Sequence, residues 1–162
     1  MPVLLRHSQQ LEMNLTEYHG AISLAELDAV ADYFAANTSL LKRDTLGLVL
    51  PGAHFGDIAL PALDDLFRRY AAIYAPLNFE IIRRSAWVCL SPSAQAHIDY
   101  WIGGRDTRGA MSSTLRQFSS LAEAGDWLVL SEAETAMLES GESFLELARF
   151  APAPDAPRAR AR

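Results

Sequence analysis

The chain has 162 residues, of which 50% are hydrophobic and 21% are charged, a composition typical of one globular domain with its own core. The net charge is −6, and residues 1–150 hold 11 basic and 19 acidic side chains. Such an acidic body argues against binding of nucleic acid, which needs a basic face. The sequence has no apolar run near the roughly 20 residues of a membrane-spanning helix. Residues 1–6 also lack the pattern of a signal peptide, so we expect a cytoplasmic protein without stable membrane insertion.

Short apolar runs alternate with amphipathic segments along most of the chain. The predicted strands are Val3–His7, Leu11–Tyr18, Leu46–Leu50, Glu80–Leu90 and Thr114–Phe118. The predicted helices are Leu24–Ala35, Pro61–Tyr74, Ala94–Ile102, Leu121–Leu128 and a C-terminal helix over about 131–149. This order predicts a single α/β domain over residues 1–150. Residues 151–162, which are rich in Pro, Ala and Arg, are predicted to be a disordered tail.

Local patterns set the expected ends of these elements. A serine followed three residues later by a glutamate is typical of a helix start, and this pair occurs at Ser23, Ser120 and Ser131. Gly141 is predicted to break or kink the C-terminal helix. In the fourth strand, two arginines at 83 and 84 precede the apolar run Ala86–Leu90. We therefore expect the start of that strand to be exposed and its end to be buried.

Four stretches of the sequence resemble the SpoIIAA-like/STAS families. Tyr18–Leu27 is similar to the strand, glycine and Ser-capped helix entry of that group, and Leu46–Leu50 leads into a loop and helix as it does there. Ser85–Pro92 is similar to the fourth strand and its turn, and Leu115–Leu128 to the closing element. The resemblance covers roughly residues 1–130. It implies a small mixed β-sheet of four to five strands flanked by helices, here with an extra C-terminal helix.

The same resemblance exposes one departure. Phospho-regulated members carry a Ser or Thr in the loop after the third strand, whereas the matching stretch here, Pro51–Leu60, has no hydroxyl side chain. We therefore expect a relative without that phospho-switch.

The loop Pro51–Leu60 is still the first candidate site, because ligands of open α/β sheets settle at the carboxyl ends of the strands. Asp57 could orient the imidazole of His54, so the two side chains could line a small-ligand or proton-transfer site. The alternative is an ordinary surface loop with a solvated histidine and a helix-capping aspartate. Arg105 and Arg108, in the glycine-containing segment 103–109, are candidates for binding an anion.

The aromatic run Tyr100, Trp101 and Ile102 is the candidate interface. Three bulky neighbours on a helix spread over roughly 200°, so one of them is expected to point away from the core and toward a partner or a second copy. The alternative is that the C-terminal region covers this surface within the same chain.

The sequence contains no familiar catalytic, nucleotide or metal motif. The four histidines lack the spacings of metal ligands, and no cofactor is expected. Cys89, the single cysteine, lies in an apolar run and is expected to be a buried, inert thiol.

Three functions remain open at this point. The first is a non-catalytic regulatory module that binds a protein partner or itself, with a homodimer as one form. The second is a binding module for a small apolar molecule or lipid, with its pocket between loops 51–60 and 103–109. The third is an enzyme that uses His54 and Asp57.

Overall fold

A mixed β-sheet is the centre of the computed structural model, which describes residues 3–77, 83–103 and 113–151. The six strands in these ranges are β1 (Val3–Ser8), β2 (Met13–Tyr18), β3 (Asp44–Val49), β4 (Arg83–Cys89), β5 (Ser113–Phe118) and β6 (Leu145–Phe150). Their order in the sheet is β5-β4-β3-β2-β1-β6. Strands β2 to β5 run parallel, whereas β1 is antiparallel to both of its neighbours.

Helices cover both faces of this sheet. They are α1 (Leu24–Ala36), α2 (Ala62–Tyr74), α3 (Gln95–Gly103), α4 (Leu121–Trp127) and α5 (Glu132–Ser140), with 3₁₀ turns at Thr38–Lys42 and Pro92–Ala94. The predicted α/β fold is therefore confirmed, although the sheet has six strands rather than four to five. The first two strands form a hairpin, in which β1 and β2 pair antiparallel from Val3 and Tyr18 to Ser8 and Met13. None of the helices in the described ranges is both long and apolar enough to cross a bilayer.

Two apolar clusters lie on opposite faces of the sheet. The first includes residues of α1, α2 and α3, and the second includes residues of α4 and α5. Neighbours along a strand point to opposite faces, so β3 contributes Val49 to the first cluster and Leu46 and Leu48 to the second. Burial on both faces explains why the central strands read as apolar runs instead of alternating patterns.

The predicted helix starts are confirmed at all three serines. Ser23 and Ser131 each form a complete capping box with the glutamate three residues later. Ser120 caps α4 by accepting the backbone N–H of Glu123, whose carboxylate bonds to Ser119 instead. These caps satisfy amides that have no partner inside the helix.

The C-terminal helix predicted over 131–149 is wrong in its second half. Helix α5 ends at Ser140, where Gly141 takes a left-handed conformation with φ of 70°, and Leu145–Phe150 forms the edge strand β6. Arg6 fixes this turn by donating from Nη2 to the carbonyl oxygens of Gly141 and Phe144, at 3.1 and 3.0 Å. The strand forms because β1 offers a free edge, which a sequence pattern alone does not reveal.

Candidate functional site

An apolar cavity of about 120 Å³ lies between the sheet and helices α1, α2 and α3. Its helical wall is formed by Leu27, Val30, Phe34, Leu63, Leu66, Tyr70, Tyr74, Ile98 and Trp101. A single water molecule needs roughly 10–15 Å³ on the same scale, so this space exceeds that of one solvent site. The cavity is therefore large enough for a small organic molecule.

Small side chains on the strands open this space. Thr16, Thr45, Gly47 and Ser85 line its sheet side. A Cβ atom at Gly47 would lie 2.6 Å from the ring of Trp87, so only glycine lets that ring lie flat across β3. The Trp87 ring then stacks on Tyr18, with ring centroids 5.8 Å apart and planes inclined by 23°. The local sequence thus sets both the floor of the cavity and its aromatic end.

Arg83 supplies a buried positive charge to the cavity wall. Its side chain is only 7% exposed, its Nη1 donates to the carbonyl oxygen of Leu41 at 2.9 Å, and its guanidinium carbon lies 4.9 Å from the centre of the Tyr74 ring. The Nε atom is buried and has no hydrogen-bond partner. Within the described residues, the guanidinium forms no ion pair with a carboxylate. The expectation of an exposed strand start is therefore wrong for Arg83.

Trp87 and His97 bring two further polar atoms to the same cavity. His97 Nε2 lies 2.8 Å from the carbonyl oxygen of Ile58 and must donate to it, because a carbonyl oxygen only accepts. In the neutral ring, Nδ1 is then an acceptor, and it is buried without a partner. The indole N–H of Trp87, a donor, is buried without a partner too. The side chains that line the cavity thus carry one unpartnered donor and one unpartnered acceptor besides Arg83.

Three tyrosines on the cavity wall stay uncharged. Burial raises the pKa of Tyr18 far above its ordinary value. Burial raises the pKa of Tyr70 and Tyr74 as well, against an opposing effect of the Arg83 charge. At neutral pH these side chains are therefore phenols, and none of them provides a negative charge beside Arg83.

A second depression, of about 330 Å³, lies at the amino ends of β3 and β4. Four of the charged side chains there form two ion pairs: Arg84 with Asp44 at 2.7 Å and Arg43 with Glu12 at 3.2 Å. Arg83 lines both this depression and the apolar cavity, so its side chain stands between the two spaces.

The predicted pair His54 and Asp57 lies on the surface. Both side chains are exposed, neither lines the cavity, and no hydrogen bond joins them in the described part of the chain. The backbone of His54 instead ties this loop to the segment before α1, by donating to the carbonyl of Gly20 and accepting from the amide of Ile22, each at 2.9 Å. The loop still contributes to the cavity, through Phe55.

The predicted interface residues Tyr100, Trp101 and Ile102 are all partly buried against the first cluster. Trp101 packs edge-on against Phe67, with centroids 5.5 Å apart, and lines the cavity. Tyr100 donates to Asp64 at 2.9 Å. Helix α2 thus covers this surface, which the sequence predicted to be left open or covered by the C-terminal region.

The remaining candidates add no second site within the part of the chain that the structure describes. Arg105 and Arg108 lie outside the described residues. Cys89 is partly buried and donates its S–H to the carbonyl oxygen of Ser91, and burial raises the pKa of its thiol. No three His, Cys, Asp or Glu side chains in the described ranges are placed to share a metal ion.

Sequence reasoning missed the three residues that shape the cavity chemistry, Arg83, Trp87 and His97. They occupy separate elements, β4 and α3, and no fixed spacing links them. The sequence offered one indication that Arg83 lines this face. Arg83 has an odd number in β4, and the other odd-numbered residues Ser85 and Trp87 face the same side. Comparisons with family models, with curated proteins and with solved structures found no match to this chain.

Proposed function

We propose that this protein binds a small, mainly apolar molecule in the cavity between the sheet and α1–α3. The observation that carries the proposal is the combination of an apolar wall with three buried polar atoms that lack partners, on Arg83, Trp87 and His97. An unsatisfied buried polar group costs about 1–3 kcal/mol. A ligand that hydrogen-bonds to these atoms would recover that cost while it fills the space.

The volume limits the size of the ligand. An engineered cavity of about 150 Å³ in another protein holds benzene, so a space of about 120 Å³ suits a single aromatic ring or a chain of about six carbons. The resemblance to the SpoIIAA-like/STAS families is compatible with such a role, since one fold supports many functions.

A matched pair of substitutions on α1 tests this proposal. Leu27 lines the cavity, whereas Leu24, one turn earlier, is 37% exposed and lies outside it. We expect Leu27→Phe to fill the space and weaken binding of n-hexanol and phenol at least about tenfold, while Leu24→Phe leaves the affinity unchanged, as measured by isothermal titration calorimetry. Thermal unfolding of both variants checks that each is folded. Absence of saturable binding to the wild-type chain would refute the proposal.

We also propose, as a second function, association with another copy of this chain through β6. This strand is an edge of the sheet, and it exposes Leu145 and Leu147 to 73% and 39%. In an antiparallel pair centred between Leu147 and Ala148, Glu146 of one copy lies opposite Arg149 of the other. Free strand edges with apolar side chains pair readily with other strands, and here the charges match as well.

Three expectations from the sequence stay predictions. A dimer interface at Tyr100–Ile102 would have to use side chains that already pack against α2. An enzyme using His54 and Asp57 would need these exposed side chains to approach each other. A cytoplasmic location also stays a prediction.

A further inference from the structure

We propose that the ligand carries a carboxylate group, that Arg83 binds this group, and that the apolar remainder extends along β4 toward Trp87 and His97. This inference rests on the proposed function, because it assigns a chemical class to the molecule in the same cavity.

No carboxylate of the described residues balances the buried charge of Arg83. A guanidinium stays protonated at all ordinary pH values, and burying such a charge is expensive unless an opposite charge and hydrogen bonds compensate it. Within the described residues, the partners of Arg83 are the carbonyl oxygen of Leu41 and the side chain of Tyr74, through both its hydroxyl group and its ring, and all of these are neutral. Its Nε has no partner. A ligand carboxylate would provide both the missing charge and an acceptor for Nε.

Asp44, which lines the outer depression together with Arg83, is already occupied by other partners. Asp44 accepts from the backbone amide of Arg84 at 2.9 Å and from the Arg84 guanidinium at 2.7 Å. Arg84 also donates to the carbonyl oxygen of Trp127, on the α4 side of the sheet. Adjacent strand residues point to opposite faces, so the side chains of Arg83 and Arg84 lie on opposite sides of the sheet. The carboxylate of Asp44 therefore pairs with Arg84 and not with Arg83.

The length and shape of the site suit an elongated molecule with its head at Arg83. Trp87 lies four residues beyond Arg83 on β4, which corresponds to about 13 Å along the strand. Ser85 lies between them on the same face, where its hydroxyl pairs with that of Thr45 at 3.2 Å. An anionic head at Arg83 therefore leaves an apolar path toward Trp87 for the rest of the molecule.

A carboxylate bound to Arg83 would keep access to water. Arg83 lines the outer depression as well as the cavity, so a carboxylate bound to it would lie at the junction of the two spaces. The tail could then be buried without full dehydration of the head. A single cation with one open buried donor suits a monoanion, and this favours a carboxylate over a phosphate dianion.

The test compares three probes of equal chain length on the full chain: hexanoate, n-hexanol and n-hexylamine. We expect isothermal titration calorimetry to show hexanoate binding about tenfold more tightly than hexanol, and hexylamine binding most weakly. Arg83→Gln should reduce the preference of hexanoate over hexanol to less than about twofold. Arg84→Gln, the adjacent arginine on the other face, should preserve it.

The outcomes separate this inference from the proposed function. If hexanol binds the wild-type chain as tightly as hexanoate, the cavity binds ligands but the carboxylate assignment is wrong. If the preference survives Arg83→Gln, Arg83 is not the anchor. If none of the probes binds, both proposals fail. The wild-type comparison of hexanoate with hexanol keeps the inference testable even if Arg83→Gln does not fold.

Discussion

At the scale of single residues, Gly47 determines whether the cavity has its present shape. It lies beside Trp87 in the register of β3 and β4, and its missing side chain is the space that the indole ring occupies. The ring in turn stacks on Tyr18 and forms one end of the cavity. One absent methyl group therefore fixes the orientation of a large aromatic residue.

We predict that Gly47→Ala destabilises the protein by about 1–3 kcal/mol, because the new methyl group would overlap the Trp87 ring and force it to move. Gly103→Ala is the control, since a Cβ at that position meets no atom within 4 Å. Its effect should stay within about 0.5 kcal/mol. Urea unfolding of the three proteins measures the free energies. Equal stability of Gly47→Ala and the wild type would show that the ring is not confined by Gly47.

The burial of Arg83 is the residue-scale feature that the sequence did not predict. An arginine at the start of a strand usually extends to solvent, and its neighbour Arg84 does reach a surface carboxylate. Whether Arg83 is buried depends on the pairing of β4 between β3 and β5 and on the Tyr74 ring from α2. These contacts join segments far apart in the chain, so the position of Arg83 in its strand could indicate the face it lies on but not its burial.

At the scale of elements, the helices and central strands could be read from the sequence because local chemistry determines their ends. The boxes at Ser23 and Ser131, and the left-handed Gly141, are short-range features. Strand β6 is different. Residues 145–150 alternate leucine with charged or small residues, which suits a strand, but helix formers dominate their composition. Pairing with β1 determines that residues 145–150 form a strand and not a helix, and this pairing joins residues far apart in the chain.

The exposed edge of β6 leads to a prediction about assembly. We expect the wild-type chain to be a dimer in solution and Leu145→Lys to be a folded monomer, because a lysine on an edge strand opposes pairing with another strand. Light scattering measures the mass of each. Val129→Lys, which changes another exposed apolar residue in the turn between α4 and α5, should remain dimeric. A monomeric wild type would remove β6 as an interface. Trp101→Glu would not test this interface, because Trp101 packs against Phe67 and lines the cavity.

At the scale of the whole molecule, the tyrosines of the cavity link stability to alkaline pH. The fold keeps Tyr18, Tyr70 and Tyr74 protonated, since burial raises the pKa of each above its ordinary value of about 10. The unfolded chain ionises these groups near pH 10, so the folded state loses relative stability as the pH rises above that value. Below pH 10 all three tyrosines are protonated in both the folded and the unfolded chain, so they cause no loss of stability there.

We predict that the free energy of unfolding is unaffected by these tyrosines at pH 8 and falls above pH 10, by about 1.4 kcal/mol per pH unit for each of them. Urea titrations at pH 8, 10 and 11 measure the decline. Tyr18→Phe removes one of the groups and should make the decline shallower by the corresponding amount. Identical slopes for the two proteins would show that Tyr18 ionises as easily in the folded chain as in the unfolded one.

The position of β1 has a consequence for how the protein is made. This strand is completed on one side by β2, a few residues further along the chain, and on the other by β6, which pairs Phe150 with Val3. During synthesis, β2 to β5 can assemble as each emerges, but the outer side of β1 stays open until residues 145–150 have left the ribosome. The nascent chain thus carries a temporary exposed edge from the time β1 is made until β6 is made. That interval is when self-association through the wrong strand, or binding by a chaperone, has its best opportunity.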